Sequence, residues 1–329
     1  MPLDSARWFS YDRVAIVKGS KRRTIYEERG STEQRMMGLR KKLKELLSRK
    51  RLLVAPGAFD GLSARLAEEA GFEALYLSGG AVARSMGVPD IGLLTMSEVI
   101  ERAAQVVSAV KIPVIADADT GYGNALNLVR AVREFERAGV AAIHIEDQIT
   151  PKRCGHLEGK EVISLAEMEK KLMAALESRT DPDFAIIGRT DARAIHGLED
   201  AIQRGKSFAR LGVDAVFVEA PESEAELETI ARSITEIPLM VNMFKGGKTP
   251  LLPASRLEEM GFRIAIFPSE TQRAAIHSMR EALTLLKRDG STEAMDSRLA
   301  TFKERDRLVG LQEWEELEQR YLKGVVEKQ

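Results

Sequence analysis

The chain has 329 residues, of which 44% are hydrophobic and 30% charged, with a formal net charge of −1. This is the balance of an ordinary globular protein with enough apolar mass for one large core or two modest ones. No apolar run reaches the roughly 18 residues of a membrane span, and Met1–Asp4 opens no basic-then-apolar leader, so no membrane partner and a reducing, cytoplasmic setting are expected.

Residues 1–50 carry 14 Lys/Arg against 6 Asp/Glu, and composition changes after them. The expected division is a basic N-terminal extension, 1–50, and a main domain, 51–329. The aromatic and motif content of a nucleic-acid reader is missing from the basic segment, so no nucleic acid is expected as a partner. Gly19, Gly30 and Ser31 punctuate the extension, and Met37, Leu39, Leu43, Leu46 and Leu47 predict a helix over Glu33–Lys50.

From Leu52 onward short apolar runs alternate with amphipathic stretches. Strands are predicted at Leu52–Ala55, Ala74–Leu77, Pro113–Ala116, Ala141–Ile145, Phe184–Gly188, Ala215–Val218, Leu239–Asn242 and Ile264–Phe267. Helices are predicted between them, at Gly61–Ala70, Ser97–Val110, Asn124–Ala138, Ser164–Ser178, Leu198–Leu211, Glu222–Ile234 and Ala254–Glu259, several ending at a glycine suited to a C-cap. Eight such repeats predict an α/β fold, the closed (β/α)8 or TIM barrel. An open doubly wound sheet is disfavoured because Gly79, Gly80, Gly121 and Gly123 match no phosphate-loop spacing. Beyond Thr271 lies more helix than one repeat needs. The excess is expected to cover the barrel bottom or to exchange between subunits, with Trp314 and Tyr321 as anchors.

Chemistry in such a barrel sits at the C-terminal ends of the strands, and polar groups collect there. Ser78, Gly79 and Gly80 follow strand two, with Asp90 beyond. Asp117 and Asp119 follow strand three, Glu146 and Asp147 strand four, and Arg189 strand five; Glu219 and Asn242 follow strands six and seven. A ligand set of carboxylate oxygens favours Mg2+ or Mn2+ over zinc. Arg189 and Lys152 are the cations able to hold a carboxylate substrate. Cys154 is the only cysteine, so it forms no internal disulfide. It sits between Lys152 and His156 in a charged loop, Gln148–Glu161, that can close over the site, which suits acid–base work by the thiol.

Taken together, Ser78-Gly79-Gly80, Asp117-Ala118-Asp119, Glu146-Asp147-Gln148 and Lys152-Arg153-Cys154-Gly155-His156 resemble the isocitrate lyase and phosphoenolpyruvate mutase superfamily, in its 2-methylisocitrate lyase and 2,3-dimethylmalate lyase branch. The resemblance covers about residues 48–325. It implies a barrel whose last helix is swapped between subunits of a homotetramer, and an essential Mg2+. Asp117 would be the direct metal ligand, with Asp90, Asp119 and Glu146 holding its water shell. Cys154 would be the proton donor. Ser78, Gly79, Gly80, Gly155, His156, Arg189, Glu219 and Asn242 would bind the substrate's carboxylates and hydroxyl. The implied reaction is carbon–carbon cleavage of a 2-hydroxy di- or tricarboxylate to pyruvate and a second acid. The alternatives are an oxaloacetate hydrolase or decarboxylase and, in another class, a non-catalytic binding or assembly module. Oxaloacetate hydrolases tend to place Ser directly after strand eight, where this chain has Pro268. Glu270 close behind is expected either to repel an anion or to point away.

Overall fold

The computed structural model describes residues 25–155 and 157–322, with side chains from residue 32 on. Eight parallel strands close on themselves in chain order. They are β1 Leu53–Ala58, β2 Leu75–Leu77, β3 Val114–Asp117, β4 Ala142–Glu146, β5 Ala185–Thr190, β6 Ala215–Val218, β7 Leu239–Asn242 and β8 Ile264–Phe267. Pairing of Leu53 with Ile264 and of Pro56 with Phe267 joins the last strand to the first. Every strand predicted from sequence is present, shifted by no more than a few residues, and the TIM barrel is the fold.

Alternation along the strands separates two cores. Ala55, Tyr76, Ile115, Ile187, Phe217 and Ile266 point into the barrel, while Leu77, Ala116, Ile143, Ile186 and Val216 pack outward under the helices. The helices follow the expected boundaries closely, and Gly212 and Gly261 close theirs in the left-handed conformation that glycine adopts without strain. Four short elements were not expected: the helix Gly79–Ser85, the single turn of helix Arg193–His196, the helix Phe302–Leu308 and the 3₁₀ turn Glu293–Arg298.

The chain divides into two compact units after Arg35, whereas composition changes at residue 50. The helix expected from Glu33 begins at Ile25 and runs to Ser48, through Gly30 and Ser31 rather than breaking there. From Met36 it belongs to the barrel unit. Leu43, Leu46 and Leu47 join the inner core beside Ala74, Ala141 and Ala215, at the N-terminal ends of the strands. This helix, not the C-terminal segment, plugs the barrel bottom. Arg40 fixes it there. Its guanidinium is buried, meets Asp181 at 2.9 Å, donates to the carbonyls of Glu136 and Val140, and stacks over Phe184.

The C-terminal helices instead run along the flank, where Arg65 donates to Leu308 O and Arg307 pairs with Glu69. Trp314 and Tyr321 are 68% and 66% exposed, so neither anchors the segment within the subunit. On the helix Glu270–Asp289, Ile276, Met279, Leu283 and Leu286 form an exposed apolar stripe at helical spacing. Among the described residues no helix is long and apolar enough to cross a membrane.

Removing one partner of a buried ion pair leaves the other charge uncompensated and costs about 3–5 kcal/mol. Arg40→Ala is therefore expected to lower the unfolding free energy on that scale in urea titrations followed by circular dichroism; an unchanged midpoint would mean the plug adds little.

Candidate active site

The mouth of the barrel holds a cavity of ≈ 490 Å³, counted to its open end and including the solvent there. Its wall includes Ser78, Asp117, Cys154, Arg189, Glu219 and Asn242. Six residues expected from different strand ends and from the loop thus share one space. Gly80, Asp90 and Gly155 line it as well. The parallel register explains the convergence: Asp117 lies opposite His144, and Glu146 opposite Arg189.

Local backbone geometry sets each group. The Asp119 N–H donates to Asp117 Oδ1 at 3.0 Å, and the chain turns at Asp119 with φ of 46°. The two aspartates therefore part: Asp117 faces the cavity, and Asp119 turns to Lys152. Glycines 79 and 80 are required by close approach, because a Cβ on either would lie 2.7 Å from a carboxylate oxygen, of Asp117 and Asp90 respectively.

Lys152 does not line the main cavity. Its ammonium is buried and held by Asp90 at 2.5 Å and Asp119 at 2.7 Å, so it neutralises the site's own acids rather than standing free for a substrate. Arg189 does line the cavity but is braced from behind by Asp191 through Nε at 2.9 Å and by Glu146 at 3.2 Å. Asp147 faces away, accepting from Thr190, the Asp191 N–H and Arg204, and is structural.

Three groups escaped the sequence reading. Tyr76 lines the cavity, and its hydroxyl meets His144 Nε2 at 2.8 Å and Asp117 Oδ2 at 3.4 Å. In sequence both Tyr76 and His144 are simply strand residues. Lys160 is buried and joins Asp191, at 2.9 Å, to the Gly155 carbonyl; in a charged loop it looks like any solvated lysine.

The loop after β4 is seated. Gln148 bridges to Val162 and clasps both the N–H and the carbonyl of Arg153, while the Cys154 N–H donates to Asp90 O at 3.3 Å. Cys154 is partly buried. His156 lies outside the described residues.

The electrostatics are those of crowded acids. Burial pushes Asp119 up to about 6 despite Lys152, and burial likewise raises Glu146 well above the carboxylate range despite Arg189. Burial would raise Asp117 too, but positive charge from His144 when protonated, Lys152 and Arg189 brings it to about 2. Burial takes His144 down to about 4, so near neutral pH it is uncharged and the lysine and arginine carry that task.

Among the described residues no three His, Cys, Asp or Glu side chains meet tightly enough to hold an ion alone. Mg2+ asks for less, binding through one or two carboxylates and keeping several waters. Asp117 on the cavity wall, with Asp90, Asp119 and Glu146 behind it, fits that demand: the oxygens are hard, and the buried acids are short of positive charge.

The chain is similar in sequence and in fold to several known proteins. The phosphoenolpyruvate phosphomutase family matches residues 43–287. The 2,3-dimethylmalate lyase of Eubacterium barkeri is 45% identical over 284 residues, 86% of this chain and 98% of that one. The 2-methylisocitrate lyase of Aeropyrum pernix is 43% identical, covering 83% of this chain and 88% of that one. Among solved structures, an oxaloacetate acetylhydrolase bound to 3,3-difluorooxalacetate superposes with a TM-score of 0.82 at 35% identity, covering 86% of this chain and 96% of that one.

A methyl at Gly155 would lie 2.7 Å from Glu219 Cγ and 2.8 Å from Arg189 Nη2, so Gly155→Ala is expected to unseat the loop. Misplacement of about 1 Å costs on the order of 10²-fold in turnover. Trypsin should also cut faster after Arg153; a cleavage rate equal to wild type would show that the loop tolerates the methyl.

Proposed function

The chain belongs to the phosphoenolpyruvate phosphomutase family as a lyase that breaks a carbon–carbon bond, and we propose that it releases pyruvate from a 2-hydroxy di- or tricarboxylate of the 2,3-dimethylmalate or 2-methylisocitrate type. The observation that carries this reading is the thiol of Cys154 on the wall of the cavity shared by Asp117 and Arg189. Likeness to the two lyases supports the same reading.

In the proposed reaction the substrate's 2-hydroxyl loses its proton to a base, and the C2–C3 bond breaks as the hydroxyl oxygen becomes the carbonyl of pyruvate. The bonding electrons stay on C3, beside a carboxylate, and the Cys154 S–H delivers a proton there to complete the second acid. Arg189, fixed by Asp191 and Glu146, orients a carboxylate of the substrate without having to be ordered on binding. Ser78 and Asn242 contribute polar groups to the same wall. The seated loop excludes water that would otherwise protonate C3.

Mg2+, held by Asp117 with Asp90, Asp119 and Glu146 around its water shell, would supply electrophilic stabilisation of negative charge on oxygen; Mn2+ is the expected substitute. The exposed stripe from Ile276 to Leu286 supports a homotetramer in which the last helices pack on a neighbouring subunit. Sedimentation equilibrium tests that assembly, and a monomer at micromolar concentration would reject it.

Incubation with 2,3-dimethylmalate and with 2-methylisocitrate, following pyruvate, should show turnover of at least one. Cys154→Ser should lower its kcat by about 10²–10⁴-fold with folding intact. Wild-type turnover in that variant would remove the thiol from the mechanism. Acetate and oxalate formed from oxaloacetate, with no pyruvate from either hydroxy acid, would favour the hydrolase reading that the structural likeness to the acetylhydrolase also supports.

For the metal, Asp117→Ala is expected to abolish both activity and its response to Mg2+. Chelation of wild type by EDTA should mimic the variant, and activity that survives both treatments would reject the ligand set.

A further inference from the structure

Helices commonly begin with a serine whose Oγ accepts a backbone N–H of the first turn. Ser269 stands at the start of the helix Glu270–Asp289 and makes no such bond. The neighbouring Glu270 takes up the local backbone instead, accepting the Ser269 N–H at 3.2 Å and lying 3.6 Å from Arg273. Glu270 thus points away from the cavity, and Ser269 Oγ is released from capping. Ser269 is 8% exposed, lines the cavity, and its buried hydroxyl has no partner. A buried hydroxyl left without a partner is destabilising, so its position calls for a ligand group opposite it.

The turn is rigidly placed. Gly57 lets the backbone pass so closely that a Cβ there would lie 2.3 Å from Pro268 O. Thr271 Oγ1 donates to Gly57 O at 2.7 Å, and Gln272 Nε2 to Ala81 O at 2.8 Å. That last bond ties Ser269's helix to the short helix Gly79–Ser85, which carries Arg84. Arg84 is exposed at the mouth and lines the same cavity, with Nη1 folded back to 2.9 Å from where a Cβ on Gly80 would lie. Among the described residues Arg84 makes no ion pair. Asp90, on the same wall, is already engaged by Lys152.

The other cations around the site are committed to its own acids: Lys152 to Asp90 and Asp119, Lys160 to Asp191, and Arg189 to Asp191 and Glu146. Among the described residues lining the cavity the cations are Arg189 and Arg84, so Arg84 is placed to meet a substrate's additional carboxylate, beyond the one Arg189 orients and the one nearest the acids. We infer that Arg84 and Ser269 form a specificity-determining carboxylate subsite, which receives a carboxylate-bearing arm on C3 and selects tricarboxylates over dicarboxylates with an alkyl arm there. The inference rests on the lyase reading for the arm's place in the reaction, but not for the binding itself.

Two non-reacting probes, tricarballylate and methylsuccinate, separate binding from chemistry. Calorimetry on wild type should find tricarballylate bound about 10- to 100-fold tighter, the scale of one charge-assisted contact. Arg84→Met should remove that preference while leaving methylsuccinate within about threefold, and Ser269→Ala should reduce it in part. Equal binding of the two probes by wild type, absence of tricarballylate binding, or a preference that survives Arg84→Met would each overturn the subsite. With both hydroxy acids as substrates, the same variant should raise KM for 2-methylisocitrate and spare that for 2,3-dimethylmalate. Selective probe binding without any pyruvate release would sink the lyase reading and leave the subsite standing.

Discussion

The site depends on a surplus of buried carboxylates at one end of a barrel. Asp90, Asp117, Asp119, Glu146, Asp191 and Glu219 converge on a region supplied with Lys152, Lys160 and Arg189. Such burial is unfavourable unless each charge finds an opposite one. The result is a lattice in which Lys152 and Arg189 are each shared between acids and Lys160 holds Asp191, and in which Asp119 and Glu146 still resist ionisation because of their burial. That remaining shortage of positive charge would suit the hard divalent cation proposed for the site. It also means that cations named from sequence as substrate clamps have other work. Lys152 holds acids together, and Arg189 is oriented by acids before any ligand arrives.

The loop carrying Cys154 is part of the same lattice. Lys160 draws the Gly155 carbonyl towards Asp191, whose other contacts orient Arg189. Seating of the loop and orientation of the arginine are thereby joined through one buried aspartate. Charge balance across Asp191 makes the closed arrangement self-consistent: without Lys160 the aspartate would share a single cation, and without Arg189 the loop would lose its fixed floor.

The barrel was legible because its signal repeats. Each buried parallel strand is a short apolar run, and the helices between them carry clear periodicity and terminal glycines. The rim was legible for the same reason, since strand ends mark where polar groups must face the mouth. The bottom plug was not. Leu43, Leu46 and Leu47 announce an amphipathic helix, but nothing local says that their partner is the barrel interior. The helix Gly79–Ser85 was hidden by its two glycines, which read as a loop and are needed because Asp117 and Asp90 pass so close. Lys160, Tyr76 and His144 were invisible for a more general reason. Their roles arise from neighbours 31, 41 and 68 residues away, and single-sequence spacing carries no record of such pairs.

Specificity follows from how little of the lattice is left over. A strongly paired interior offers a ligand few free donors, so recognition of one substrate over another must come from the groups that the pairing omits. In the proposed reaction Asp117, Arg189 and the thiol, which share the cavity wall, would meet features common to all 2-hydroxy acids. The outer wall, where the turn after β8 meets the helix after β2, is different. There Glu270 has taken over the local backbone, Ser269 has been set free, and Pro268 occupies the position directly after the strand. If the proposed subsite is right, a substitution in that turn would alter the arm a substrate can carry without disturbing the acids or the loop that carries Cys154. On that reading one reaction would be fitted to different acids by changing residues that never touch the bond being broken.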